Sequence, residues 1–386
     1  MSMSMKARLG ALSVLLLVSP ALATKVKIAL VAPLSGPLGP IGESARLASE
    51  LALQTMRAQL TKAGLEVTLV PIDEGNPTIA AQSARALVSD PEVLGVLGPT
   101  FSGTAMLVSD VLRPANLVML SGAATATEIT DRNYPNVNRV VARSDAQAAA
   151  MAEYLSQKTP HRKLMVISDA TTYGNSLADD VETAAAVYKL NVVGRFNTTA
   201  RIAFEDIVTA AKKQNPDVIY FSGGQEAGLA LLRELRSANI TSVFAGGSTF
   251  EDPSFIRTGQ GLVKGVLYTT TFGPLNKFAA ASAFSQRFKS AFNQNATIFS
   301  VFNYDATRVM LQALLDAKAG AGDTLSRADV SAAVRKVNIP GGLTGALSFN
   351  AKGDRQRAPL FVMRFSETTT LPEYLQIHIA RPKAVK

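Results

Sequence analysis

From Thr24 onward, short apolar runs alternate with longer segments in which apolar residues recur every three or four positions. Val26–Ala32 is a near-continuous apolar run, Gly42–Ala63 has helical periodicity, and Glu66–Ile72 reads as a strand ending at Asp73. Pro77–Ser89 is a predicted helix and Val93–Leu97 a strand. Gly103–Leu112 is a helix for which Ser102 is the expected cap, and Val118–Leu120 is a further strand. Strands with no polar alternation are buried on both faces, and helices between them act as crossovers, so the sheet they build is parallel.

After a helix at Asp145–Lys158 the pattern restarts. Strands are predicted at Lys163–Ile167, Leu190–Phe196, Asp217–Phe221 and Ser242–Ala245, with helices at Gly174–Tyr188, Phe204–Gln214 and Gln225–Ala238. Two such series predict an α/β protein of two doubly wound lobes. Helices at Lys277–Phe292, Tyr304–Ala317 and Arg327–Val337 follow, then strands at Leu343–Phe349, Ala358–Phe365 and Tyr374–Ile379. Giving the late helices to the first lobe and the tail to the second leaves no orphan, and makes the chain cross between lobes several times.

The N-terminus departs from this pattern. Lys6 and Arg8 precede an apolar stretch, Leu9–Val18, that is too short to span a bilayer, and Ser19-Pro20-Ala21-Leu22-Ala23 ends in a small-x-small site. The expectation is a signal peptide over residues 1–23. There is no cysteine in the chain of 386 residues, which removes disulfides, a thiol nucleophile and a lipid anchor at the cleavage site. A freely diffusing periplasmic protein is implied. The formal charge of +9 falls to +7 when Lys6 and Arg8 leave with the leader. The remaining positives are scattered, Trp is absent, and no nucleic-acid module is found.

Candidate chemistry lies in loops that follow predicted strands. Gly98-Pro99-Thr100-Phe101-Ser102-Gly103-Thr104 and Ser121-Gly122-Ala123-Ala124-Thr125 follow neighbouring strands of the first series. In an open α/β sheet such loops share a crevice where ligands bind. Small residues let a ligand approach the backbone, and hydroxyls beside unpaired N–H groups suit an anionic head group. Ser35-Gly36-Pro37 forms a third wall, and Asp169 through Tyr173-Gly174 takes the same place in the second lobe. Gly223-Gly224-Gln225-Glu226 lacks dinucleotide-loop spacing and reads as a tight strand-to-helix turn. His161 and His378, the only histidines, have no triad or metal-ligand pattern around them. No cofactor or metal is expected, and the chemistry is capture rather than catalysis.

Taken together, Val26 through Pro37, Ala123-Ala124-Thr125, Asp169 through Gly174, Tyr304-Asp305-Ala306 and Gly342 through Asn350 resemble the leucine/isoleucine/valine-binding protein family, the type I periplasmic binding proteins of ABC importers. The resemblance implies two lobes, residues 24–143 with 272–345 and residues 144–271 with 346–386, joined by a three-strand hinge. The crossings are expected near Val140–Ser144, Tyr268–Phe272 and Gly345–Phe349. It also implies that Ser102, Ala123 and Thr125 hold a ligand carboxylate. Ala124, Tyr173, Gly224, Gln225 and Ser248 would complete the site, with Ser35, Ile41, Phe101 and Glu226 in a wider wall.

Two positions depart from the family pattern. Ser248 stands where amino-acid binders present an acid to the ammonium, and Gly224 where they present an aromatic; Glu226 or Glu251 would have to substitute for the acid. An ammonium buried without its anion costs on the order of 3–5 kcal/mol. The expected ligand is therefore an amino acid or another small organic carboxylate. The expected partner is an ABC permease complex, with a sensor protein as the alternative, and the chain itself is expected to be a monomer.

Overall fold

The computed structural model describes residues 23–199, 204–271, 273, 279–368 and 372–380. The expected leader, apart from Ala23, lies outside the described residues. Five strands form the first sheet: β1 (Thr24–Ala32), β2 (Leu65–Asp73), β3 (Val93–Leu97), β4 (Val118–Ser121) and β5 (Val137–Arg139). All are parallel, in the order β2-β1-β3-β4-β5. β3 and β4 are buried throughout, which is why their sequences show no polar alternation.

One face of this sheet is covered by the helices Gly39–Lys62, Ala279–Phe292, Ile298–Ala321 and Arg327–Lys336, whose Leu53, Phe284, Phe302 and Val334 share a core with Ile28 and Leu120. The other face packs on the helices Pro77–Ser89 and Ser102–Leu112 through Ala84, Val108 and Leu112. The late helices thus supply three of the four helices on that first face.

The second sheet holds β6 (Lys163–Ser168), β7 (Asn191–Asn197), β8 (Val218–Ser222), β9 (Val243–Gly246) and β10 (Leu267–Thr270). A small hairpin, β11 (Ile339–Gly342) and β12 (Gly345–Leu347), precedes the tail strands β13 (Ala358–Phe365) and β14 (Pro372–Ala380). The seven-stranded order is β14-β13-β10-β9-β8-β6-β7, parallel from β10 to β7 and antiparallel at β13 and β14. Helices Ser144–Lys158 and Thr172–Val187 cover one face, and Glu205–Gln214 with Gln225–Ser237 cover the other.

The first crossing runs through Val140–Arg143, between β5 and the helix at Ser144. The second leaves β10 into residues 271–278, of which only Thr271 and Gly273 are described. The third falls later than expected. Gly345–Leu347 is the return strand of a hairpin, and Leu347 and Phe349 remain in the first lobe's core. The chain then turns at Asn350–Gly353 and runs beside β5, with Arg139 N–H donating to Gly353 O at 2.9 Å and a parallel bridge between Arg139 and Asp354. It enters the second sheet only at Ala358, so the crossing is residues 354–357. The apolar run Leu343–Phe349 does not mark a continuous strand, because Gly345, at φ 93°, reverses the chain inside it.

Candidate functional site

The carboxyl ends of β3 and β4 place two of the expected loops side by side. Gly98 sits at φ 90°, and a Cβ there would lie 2.1 Å from Val31 O, so this turn admits only glycine. Ser121 joins the loops: its hydroxyl donates to Pro99 O at 2.8 Å and accepts from Ala124 N at 2.9 Å and Ala123 N at 3.2 Å. This corrects one expectation. Ala124 is buried and its N–H is spent on Ser121, because the loop folds back on its own serine; Ala123, half-buried, has a longer bond to the same oxygen.

Ser102 is also not the expected cap. It is the first residue of the helix Ser102–Leu112, with Phe101 in the cap position. Its Oγ instead accepts from Ala126 N at 3.3 Å, which leaves its own proton free to donate. The N–H groups of Ser102, Gly103 and Thr104 lie in the first turn and have no intrahelical acceptor; the first such bond is Ala105 N to Phe101 O. Thr125 is buried, and its Oγ1 has no partner.

Glu74, directly after β2, was not among the expected site residues. It is 1% exposed, and its two carboxyl oxygens accept from Thr100 N and Phe101 N, each at 2.7 Å. It thereby sets the shape of the loop that presents Ser102. Burial pushes its carboxyl up to about 7 against those donors. The signal was the acidic pair Asp73-Glu74 at a strand end. Asp73 takes the other role, accepting from Leu34 N at 2.8 Å and from the Ser35 hydroxyl. The Ser35 side chain is therefore committed to its own loop.

In the second lobe, Asp169 takes the organising part. Its Oδ1 accepts from Thr171 N and Oγ1 at 3.0 and 2.6 Å, and its Oδ2 accepts from Gly224 N at 2.8 Å. A Cβ on Gly174 would fall 2.1 Å from Asp169 Oδ1, so the Tyr173-Gly174 turn closes on this carboxylate. The space beside Gly224 is open: a Cβ there meets only Asp169 Oδ2, at 3.9 Å. Ser248 N donates to Gln147 Oε1 at 3.2 Å. Tyr173 packs half-buried, its hydroxyl has no partner, and burial pushes it up to about 12.

The two lobes meet at these loops. Thr127 N donates to Ser176 Oγ at 3.2 Å, and a Cβ on Gly103 would lie 3.3 Å from Thr172 Oγ1. Ser102, Ala123, Thr125, Tyr173, Gly224 and Ser248 therefore belong to facing loop sets. Ile41, Gln225 and Glu226 lie further out, in the walls of a groove of 510 Å³ shared with Pro40, Arg233 and Asp252. That groove is the mouth of the interface and none of the six inner residues lines it. Phe101 is 36% exposed, on the lobe 1 rim. Glu251 sits below Ser248 and takes the hydroxyl of Thr270, and burial pushes its carboxyl up to about 8.

Behind the loops, Arg139 is wholly buried. Its Nη1 donates to Ala126 O at 2.8 Å and Ala124 O at 3.3 Å, and its Nε faces Asp354 Oδ1 at 2.9 Å. Arg143 completes the group by reaching Asp354 at 3.2 Å and Asp131 at 2.9 Å. The loop after β4 is thus tied directly to the third crossing. Among the described residues there is no cluster of His, Asp or Glu able to hold a metal, and no helix is long and apolar enough to cross a membrane.

The sequence profile of a family described as periplasmic binding protein matches residues 25–370. The chain is 29% identical over 314 residues to the Leu/Ile/Val-binding protein BraC3 of Rhizobium johnstonii, covering 80% of this chain and 84% of that protein. It is 25% identical to a leucine-, isoleucine-, valine-, threonine- and alanine-binding protein of Pseudomonas aeruginosa, over 91% of this chain and 92% of that one. A leucine-binding protein LivK from Thermotoga maritima has the same fold, with a TM-score of 0.81 at 23% identity, covering 93% of this chain and 100% of that one. A solute-binding protein of an ABC transporter from R. palustris, solved with benzoate, gives 0.80 at 19% identity, over 94% and 99%.

Proposed function

The chain belongs to the periplasmic binding protein family, and from that membership we propose that it captures a small organic carboxylate between its lobes and delivers it to an ABC permease. The observation that carries this reading is the donor set on the lobe 1 rim. Ser102 Oγ keeps a free proton, Thr125 Oγ1 is buried without a partner, and the first-turn amides of the helix Ser102–Leu112 point out of its N-terminus. Such an end favours an anion through unpaired N–H groups and the helix dipole. The donors are fewer than an open amide nest would give, because Ser121 takes Ala124 N.

Ligand capture on this rim, followed by closure of the lobe 2 loops at Tyr173, Gly224 and Ser248, is a population shift between open and closed lobe arrangements. The permease would recognise the closed form, with the protein acting as a monomer in the periplasm. The relatives' names point to branched-chain amino acids, and the benzoate-bound structure shows that the fold also houses an amino-free acid. Ser248 and Gly224, in place of an acid and an aromatic, favour the second kind of ligand.

Calorimetry with a panel of amino acids and amino-free carboxylates tests the reading. One carboxylate should bind near micromolar. Ser102→Ala should weaken it by about 1.5–3 kcal/mol, the worth of a hydrogen bond to a charged group. A ligand that binds wild type and Ser102→Ala equally would remove the lobe 1 rim from the site.

A further inference from the structure

Resting on that reading of the cleft as a carboxylate site, we propose that lobe 2 recognises an oxygen acceptor on the ligand through Gln147 Nε2 and Tyr173 Oη. The cleft would then select carboxylates that carry a second oxygen, as hydroxy- and oxo-acids do, over α-amino acids.

Gln147 lies in the first turn of the helix Ser144–Lys158 and is 0% exposed. Its Oε1 accepts from Ser248 N at 3.2 Å and from Thr269 Oγ1 at 3.3 Å. A backbone N–H can only donate, so the atom facing Ser248 is the amide oxygen and the other is the NH2 group. That Nε2 is buried with no partner. The Tyr173 hydroxyl is buried and unpartnered too, and a Cβ on Gly247 would lie 2.3 Å from it. Both side chains flank the same corner, the Gly247-Ser248 turn that follows β9. Leaving a buried donor unmade is costly, so the corner is built to be completed by an acceptor.

An ammonium finds no acid with an uncommitted oxygen at this corner. Asp169 is the acid whose charge reaches the Tyr173 hydroxyl, and its oxygens are already held by Thr171 and Gly224; Asp180 accepts from the Ser144 hydroxyl at 2.7 Å. Glu251 takes Thr270, which points to the opposite face of β10 from the Thr269 that Gln147 touches. The NH2 of Gln147 can only donate, so it offers an ammonium no acceptor and suits a hydroxyl, carbonyl or carboxylate oxygen.

The test is calorimetry on the full mature chain with leucine, its 2-hydroxy and 2-oxo analogues, benzoate and 4-hydroxybenzoate. Wild type should bind the best oxygen-bearing member at least roughly tenfold tighter than its amino or unsubstituted counterpart. Gln147→Glu keeps an oxygen for Ser248 N and turns the free NH2 into an acceptor. It should erase that preference and raise leucine affinity. Tyr173→Phe keeps the ring, and should lower affinity for the oxygen-bearing member alone.

Carboxylates that bind through Ser102 but with leucine equal to or tighter than its hydroxy analogue would overturn the inference and leave the carboxylate reading standing. A preference untouched by both variants would also overturn it, since a trapped water alone would then fill the corner. If no carboxylate binds at all, it is the reading of the cleft that fails. Should Gln147→Glu not fold, the wild-type preference and Tyr173→Phe decide.

Discussion

Glu74 and Gly224 show how much single positions decide here. Glu74 uses both oxygens to hold two consecutive amides of the Ser102 loop, each at 2.7 Å. Glu74→Gln puts an NH2 opposite one of them, donor against donor. It should cost about 1–3 kcal/mol in a denaturant titration, and weaken carboxylate binding with it. Unchanged stability would mean that the loop keeps its shape without the acid. Gly224 has φ −69° and ψ 151°, a conformation open to any residue, and free space beyond its Cβ position. Gly224→Ala should leave the unfolding free energy within the range of a neutral surface change, about 0.5 kcal/mol by denaturant titration, while Gly224→Tyr should exclude the bulkier acids of a binding panel. Ser248→Glu supplies the missing anion and should improve binding of neutral amino acids.

The elements were largely legible because their cores impose simple periods. β3, with no polar position, and the helix Pro77–Ser89 were read from pattern alone. The hairpin β11–β12 and the strand β5 were not: β5 is three residues long, and Gly345 breaks an apolar run that otherwise reads as one strand. At the site, the loops were visible through their small residues and hydroxyls. The partners of those hydroxyls were not, because Ser121, Glu74 and Gln147 act across 22, 26 and 101 positions of chain. Arg139 belongs with them: it joins the loop after β4 to the third crossing through a pair buried to 0% and 2% exposure. Asp354→Ala strands a buried guanidinium and should cost about 3–5 kcal/mol, read as a lower denaturant midpoint. A smaller loss would show that water reaches the hinge.

Across the whole molecule, among the described residues, burial raises the carboxyls of Glu74, Asp180, Glu251 and Asp305, and these weigh on the response to pH. Burial raises Glu74 and Asp180 to about 7 and Glu251 to about 8, all above their unfolded values. The folded chain then keeps protons that the unfolded chain has released. Stability from these groups is full below their unfolded values of 3.8 and 4.5 and falls as pH climbs from there through 8. Asp131 runs the other way: burial raises it, but Arg143 and Lys352 win and hold it near 2, so its contribution is already full in that window. The thermal midpoint should decline between pH 5 and 8, and Glu251→Gln should flatten the decline. A midpoint that rises across the window would show that the acids stay ionised in the fold.

Because the third crossing comes only at residues 354–357, neither lobe is made of one stretch of chain. The first needs Phe284, Phe302 and Leu347 to finish its interior, and the second needs Leu360 and Phe361 beside β10. A growing polypeptide therefore cannot lock either half until almost all of it has been synthesised. Each half stays open to rearrangement until its distant partner strands and helices arrive.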